Sequence, residues 1–343
     1  MVEWWYSKKS ADDVILVSRI RLLRNFSEYR FPDTMNDDDR EEIRERILPL
    51  IPDMQDRLGM GIRHLPYERF SPEERLALQE RQLINKAAQG AEKRIEVLAS
   101  QDEAFSLTLN STDHVRLLYS RYGNRLSELY QKIQPIDRML GDTVPYAWSE
   151  RFGYKTSTIA NVGTGMRAYF VMHLPFLSGT KNFSQVTEEI GRYGVVVRNA
   201  ITEAGKRSMG LYVIYNHRSM GLTENNIMDI LTNVAGRLAG QEREMQGHAD
   251  RVRMRDRVLR SYGILRYAQR MDFFESIVHL SNLLLGVSHG ILTTSGDFSI
   301  YELMLGVQPG NLQVYHKSLF DEETIRIKRA DYLRYFISTI DAD

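Results

Sequence analysis

The alternation Phe105-Ser106-Leu107-Thr108-Leu109 constrains this chain more tightly than any other local pattern. Apolar side chains at every second residue suit a half-buried strand and not a helix. Another apolar stretch, Ile95, Val97 and Leu98, precedes it across the acidic-polar Ser100-Gln101-Asp102-Glu103. So short a turn joins antiparallel neighbours, because parallel strands need a crossover of roughly a dozen residues or more. Further strands are expected over 168–174, 195–198 and 211–216, with helices over 116–133, 183–193 and 224–240. Leu117, Leu118, Leu126 and Leu129 would give the first helix its apolar face, and Thr223 precedes the third. Hairpins stand where strict β-α-β alternation would give a parallel sheet. The pattern predicts an α+β fold, an antiparallel sheet flanked by helices.

Towards the N-terminus, 12–17 form a short buried stretch that runs into the basic Ser18-Arg19-Ile20-Arg21-Leu22-Leu23-Arg24-Asn25, a turn or strand end. A helix over 40–48 is broken by Pro49 and Pro52, and Ser71-Pro72-Glu73-Glu74 caps another that runs to about Asn85. A charged helical segment, 242–257, closes the sheet region. Helices follow over 258–269, 273–286, 299–306 and 322–337, punctuated by Gly290, Pro309 and Gly310. The expected division is 1–90, a mainly helical lobe; 91–248, an α/β lobe; and 249–343, a helical unit. The amphipathic faces of that last unit can pack on the sheet, on another subunit, or on both.

Lysine plus arginine equals aspartate plus glutamate at 45 each, which argues against a chain-wide nucleic-acid footprint but leaves room for a local basic pocket. The absence of cysteine excludes disulfides, zinc-thiolate sites and cysteine nucleophiles. The first residues lack the pattern of a secretion signal, and no apolar run reaches the roughly 20 residues that span a bilayer. A soluble cytoplasmic protein without membrane contact is expected, with Trp4 and Trp5 packed on the body or a partner. No Gly-x-x-x-x-Gly-Lys-Ser/Thr phosphate loop is present. His248, His279, His289 and His316 have no metal-ligand spacing, His173 suits packing, and His114 suits a hydrogen-bonded fold role better than that of a base.

Arg19, Arg21, Arg116, Arg167 and Arg198 stand beside expected strand ends or glycine turns. Each alone is an ordinary surface residue; brought together they would form a phosphate clamp of charge-assisted hydrogen bonds. The blocks that carry them are Val17-Ser18-Arg19-Ile20-Arg21-Leu22-Leu23-Arg24-Asn25, Asn161-Val162-Gly163-Thr164-Gly165-Met166-Arg167-Ala168 and Val195-Val196-Val197-Arg198. Together with Arg257–Leu265 and Glu302–Pro309, they make the chain similar to the phosphagen kinases (ATP:guanidino phosphotransferases), above all their bacterial protein-arginine kinase branch. The resemblance implies a small helical lobe, a larger sheet lobe that binds ATP with Mg2+ carried on its phosphates, and a C-terminal helical domain for dimerisation and phosphoarginine recognition. It implies nucleotide contacts at Ser18, Arg19, Arg21, Arg116, Arg167 and Arg198. Thr158 and Glu203 fall on the guanidinium side, and Arg326 and Arg329 in the phosphoarginine-type pocket. Gly163 and Gly165 would make the close-approach turn that presents Arg167, with a purely structural role as the rival.

The departures lie on the guanidinium side. The family's Asn-Glu-Glu-Asp-His-x-Arg stands here as Asn110-Ser111-Thr112-Asp113-His114-Val115-Arg116. Its catalytic carboxylate position is thus held by Ser111 or Thr112, while Thr158 and Ile159 replace a cysteine and a proline. Gln82 stands near a family histidine, and only half of the phosphoarginine motif survives around Arg329. A hydroxyl can neither oppose a guanidinium's charge nor take its proton as a carboxylate can. Two readings result. One is a nucleotide-binding pseudokinase or strongly impaired kinase with a regulatory or adaptor role, working with an active arginine kinase, its activator or Clp protease machinery. The alternative is an active ATP-dependent protein-arginine kinase that uses Glu203, with Asp113 as a possible helper. A purely structural protein, its arginines serving the fold, is the third reading.

Overall fold

The structure is a computed structural model that describes residues 14–65, 67–85, 95–201, 210–295 and 298–342. Trp4, Trp5 and Glu203 lie outside the described residues. Strand β1 (Ile15–Arg24) is followed by helices α1 (Asp37–Ile47) and α2 (Ile51–Leu58), strand β2 (Ile62–Leu65) and helix α3 (Pro72–Glu80). Strands β3 (Glu96–Ser100), β4 (Phe105–Leu109) and β5 (Val115–Tyr122) lead to helix α4 (Leu126–Thr143). A small ribbon, β6 (Trp148–Ser149) with β7 (Gly153–Tyr154), precedes β8 (Met166–His173), α5 (Phe183–Arg192), β9 (Val195–Asn199), β10 (Leu211–Asn216) and α6 (Glu224–Gly247). Helices α7 (Arg251–Tyr267), α8 (Phe273–Ser288), α9 (Ile300–Gly306), α10 (Pro309–His316) and α11 (Glu322–Ile337) form the C-terminal unit, with a two-stranded ribbon of β11 (Leu292–Thr294) and β12 (Ile340–Ala342).

Among the described residues eight strands form one sheet in the order β2-β3-β4-β5-β1-β8-β10-β9, and each of these pairings is antiparallel. This is the α+β arrangement that the hairpin pattern predicted. The basic segment near the N-terminus is not a turn. It is the larger part of β1 and runs to the strand's end at Arg24, paired with β5 on one side and β8 on the other. Consequently the 1–90 stretch, expected to be mainly helical, contributes two strands to the sheet beside α1, α2 and α3.

Residues 116–122 are strand, not helix, and α4 begins only at Leu126. The cause is burial on both faces. With β1 and β4 alongside and cover above and below, Arg116 to Ser120 are all buried, so no alternation marked the strand. A helix cap was found where Ser71 predicted it: Ser71 accepts from the Glu74 N–H, Glu74 answers to the Ser71 N–H, and Pro72 occupies the first turn. That helix stops at Glu80, and Gln82 adopts the left-handed conformation at φ 67°. Pro309 and Gly310, expected as punctuation between helices, open a further helix, α10, where proline's missing N–H is no loss in the first turn. The charged 242–257 segment divides at 248–250, where Asp250 caps α7 through the N–H groups of Val252 and Arg253.

Helices α4 and α6 pack on one face of the sheet, α4 against β1 and β5 and α6 against β8 and β10. Ile20, Leu22, Phe105, Leu107 and Phe170 belong to the resulting core, which runs on without a break into the C-terminal unit. His173 of β8 bonds through Nε2 to Ser281 Oγ of α8 at 2.8 Å, so the expected packing histidine also ties the two units together. Among the described residues no helix is long and apolar enough to cross a membrane.

Candidate functional site

Cross-strand register decides which side chains meet, because directly paired residues point to the same face of a sheet. Arg21 pairs with Arg167, Arg19 with Tyr169 and Leu23 with Arg116. Further along, Tyr169 pairs with Tyr215, Val171 with Val213, and Val213 with Arg198. Arg19, Arg21, Arg116, Arg167 and Arg198 therefore all project from the face opposite α4 and α6. Arg19, Arg21 and Arg116 line a cavity of about 310 Å³ together with Glu80, Gln82, Tyr169, Val171 and Val213. Arg167 and Arg198 stand beyond it, their guanidinium carbons 5.3 and 5.9 Å from the centre of the Tyr215 ring. Tyr215 lies 5.7 Å from Tyr169, and Arg21 reaches the Tyr169 ring at 5.8 Å, which joins the two groups of arginines in one strip.

Ser18 is not part of this strip. One residue out of phase, it points to the helix-covered face, where its hydroxyl donates to Gly123 O and accepts from Arg125 N. It anchors the entry to α4, which explains its burial without any ligand.

The cationic strip is electrostatically unbalanced. Burial, then the charges of Arg21 and Arg19, push Arg116 down to about 9. Burial likewise lowers Arg19 and Arg167. Arg116 donates to Leu83 O and Gln82 O at 3.0 Å, and Arg19 to Ser120 Oγ at 2.9 Å. Yet Nε of Arg21, Arg116 and Arg167 is buried with no hydrogen-bond partner among the described residues. Buried donors of one sign with spare N–H groups fit a polyanion. Among the described residues no group of three or more His, Asp or Glu is placed to hold a metal.

Beside Arg116, the two hydroxyls at the expected carboxylate position are held by one amide. Ser111 donates to Asn85 Oδ1 and Asn85 Nδ2 donates to Thr112 Oγ1, both at 3.1 Å. Asp113 does not fill the gap: it is buried, and Oδ1 accepts from Asn25 Nδ2 and Ser157 N at 2.8 Å each. Burial raises its pKa, and the two bonds tie the end of β1 to the 155–158 loop. His114 is a fold residue as expected. Its Nδ1 accepts from Phe26 N, its Nε2 reaches Arg30 O, and burial lowers its pKa to about 4. Thr158 is exposed, next to a 3-10 turn over Ile159–Asn161 whose Asn161 Oδ1 accepts from Arg167 at 2.9 Å.

The protein-family match covers most of this architecture. Residues 52–245 match the ATP:guanido phosphotransferase C-terminal catalytic domain, and 251–343 match the protein-arginine kinase McsB C-terminal domain. A protein-arginine kinase of Brevibacillus brevis is 31% identical over 317 residues, 90% of this chain and 88% of that protein. One from Shouchella clausii is 32% identical over 334 residues, 96% of this chain and 93% of the relative. The chain belongs to the protein-arginine kinase family. Solved phosphagen kinases share its fold: lombricine kinase superposes with a TM-score of 0.59 at 16% identity, over 72% of this chain and 70% of that one. A duplicated taurocyamine kinase from Schistosoma mansoni gives 0.59 at 20%, over 71% of this chain and 36% of the other.

In this family member the glycine turn before Arg167 is a structural necessity. Gly165 has φ +62°, and a Cβ there would lie 2.5 Å from Leu23 O and from Arg24 Nη1. Arg24, in turn, is buried against Asp137 at 2.7 Å and stacks 3.7 Å from the Tyr154 ring centre. The close-approach turn and the structural role are therefore the same feature. Sequence reasoning missed the Arg24–Asp137 pair, although an acid among Ile133, Ile136 and Leu140 on a helix was its signal. It also missed Asn85, expected only as a helix end.

The C-terminal arginines are both engaged by groups of the protein. Arg329 is buried and donates to Val307 O at 2.8 Å and Met271 O at 3.0 Å. Arg326 is ion-paired with Asp272 and Glu322, both at 2.8 Å, and with Glu323. Both side chains are engaged in holding α11 against its neighbours.

Proposed function

We propose that this member of the protein-arginine kinase family binds ATP or ADP through Arg19, Arg21, Arg116, Arg167 and Arg198, transfers phosphate to arginine poorly or not at all, and acts as a regulatory or adaptor subunit. The observation that carries this reading is the neutral clasp of Asn85, Ser111 and Thr112 beside an intact arginine strip. A guanidinium nucleophile entering here meets amide and hydroxyl dipoles where it needs an anion to align it and receive its proton. The surrounding arginines oppose its charge further. Loss of one such preorganised electrostatic group costs roughly 3–4 kcal/mol, about 10²–10³ in rate. The phosphate side keeps what it needs, since spare buried Nε–H groups and concentrated positive charge favour a triphosphate. A bound ATP would supply the transferable phosphoryl group; the chain supplies its position and exclusion from bulk water.

Protein contacts, including a homodimer, are assigned to the 249–343 helical unit. Calorimetry with ATP-magnesium, paired with label transfer from [γ-32P]ATP to protein arginine, tests the reading. Nucleotide binding with negligible transfer is expected; turnover at the rate of an ordinary kinase, or absence of binding, overturns it. In the rival active enzyme, Glu203→Gln would abolish a robust transfer.

A further inference from the structure

The arginine cavity has a wall that belongs to another part of the chain. Tyr301, Met304 and Leu305 of α9 and Gln308, which precedes α10, line it opposite the sheet. Tyr301, Leu305 and Gln308 are half-buried at its lip. The lining is of two kinds. Arg19, Arg21 and Arg116 come from β1 and β5 with Leu118 among them; the apolar Val171, Leu211 and Val213 come from β8 and β10, with Met304 and Leu305 facing from α9. A volume of about 310 Å³ with one cationic and one apolar region suits a small amphiphilic anion, with its flat apolar portion away from the arginines.

That wall is fastened rigidly. The Glu80 carboxylate, which also faces the cavity, accepts from Gly310 N at 2.9 Å and Asn311 N at 2.8 Å, capping the first turn of α10. Gly310 is required there, because a Cβ would lie 2.6 Å from Ala77 N of α3. Tyr122 of β5 bonds to Ser299, the cap of α9, at 2.7 Å, and Arg329 holds Val307 O between the two helices. Tyr301 lies close enough to Arg19 for its charge to be felt.

We infer that α9 and the start of α10 form the base-side wall of the nucleotide cavity, so that a bound nucleoside phosphate clamps the C-terminal unit onto the sheet. The inference rests on the nucleotide-binding reading above and adds who holds the base. Phosphates contact the sheet arginines; the base and ribose lie against Tyr301, Met304, Leu305 and Gln308. Nucleotide occupancy thereby becomes a property of two units, and the surface of the helical unit gains a means of sensing it.

The test compares ADP with inorganic tripolyphosphate as calorimetric ligands for the full chain and for the lip variants Leu305→Ala and Gln308→Ala, with folding checked by thermal melting. Both variants should bind ADP at least tenfold more weakly and tripolyphosphate within threefold of the parent. Hydrogen exchange over 299–312 should slow with ADP and change little with tripolyphosphate. If the parent binds ADP and both folded variants bind it equally well, the wall assignment fails while the nucleotide reading stands. If the parent binds neither ligand, the nucleotide reading itself fails. Should one variant not fold, the other and the exchange measurement on the parent still decide.

Discussion

Thr112→Glu and, separately, Ser111→Glu would return an anion to the place now held by the Asn85 clasp. Each substitution removes one 3.1 Å hydrogen bond to Asn85, a loss of about 0.5–1.5 kcal/mol of stability for a neutral pair. Neighbouring arginines offset part of that, since Arg116, depressed by burial and then by the charges of Arg21 and Arg19, gains from a nearby carboxylate. Both hydroxyls meet at the one Asn85 amide, but from different backbone positions, so one of the two glutamates should address the acceptor nitrogen better. In that variant, a preorganised carboxylate contributing roughly 3 kcal/mol in the transition state raises transfer about 10²-fold. Single-turnover transfer from [γ-32P]ATP to an arginine-containing protein reads the gain, and calorimetry shows whether nucleotide still binds. If both variants fold, bind nucleotide and transfer no faster than the parent, the missing carboxylate is not what limits this chain, and the electrostatic argument is wrong.

Arg21 has a buried Nε without a partner among the described residues, so Arg21→Met should weaken ADP binding by about 10- to 100-fold while leaving the melting temperature of the free protein unchanged or higher; a lower melting temperature would mark Arg21 as structural. Burial raises Glu80 to about 7 despite its two backbone donors, Arg81 and Arg329. A carboxyl with a raised folded pKa stabilises fully below the unfolded value and loses that contribution as pH rises through the folded one. Stability should therefore fall between about pH 4.5 and 7, by a few kcal/mol at most, and Glu80→Gln should flatten that slope in pH-resolved denaturant curves while lowering the baseline through one lost N–H acceptor. Asp137→Asn leaves Arg24 buried without its counter-ion, and a loss of about 3–5 kcal/mol is expected in the unfolding free energy from urea curves. His114, buried neutral with a pKa of about 4, should make the fold lose stability as pH falls from about 6.5 to 4, a trend that His114→Gln would reduce.

Much of the fold was legible because its cues are local. Hairpin turns, the Ser71 and Thr223 caps and the amphipathic helices each declare themselves within a few residues. Where both faces are covered, the cue disappears: Leu117, Leu118 and Tyr119 between Arg116 and Ser120 show neither strand alternation nor a helical stripe, and only the partners β1 and β4 decide. The same holds for Arg19 and Arg21. A strand interior rich in arginine looks like a turn until burial against Tyr169 and Ser120 gives those side chains a reason to be there.

The sequence alone determined the antiparallel character of the sheet, the family blocks around the arginines, and the substitution of hydroxyls for acids at Ser111 and Thr112, because composition and short-range spacing are properties of neighbours along the chain. Tertiary structure decided that five arginines share one face while Ser18 does not, that Arg329 is occupied internally, and that α9 closes the cavity. Those outcomes depend on register between strands far apart in sequence and on which helix covers which face. A shift of one residue in pairing would turn Arg19 and Arg21 towards the helix-covered core and bring Ile20 and Leu22 out of it; the strand's own alternation separates its two faces, but only its partners decide what each face meets.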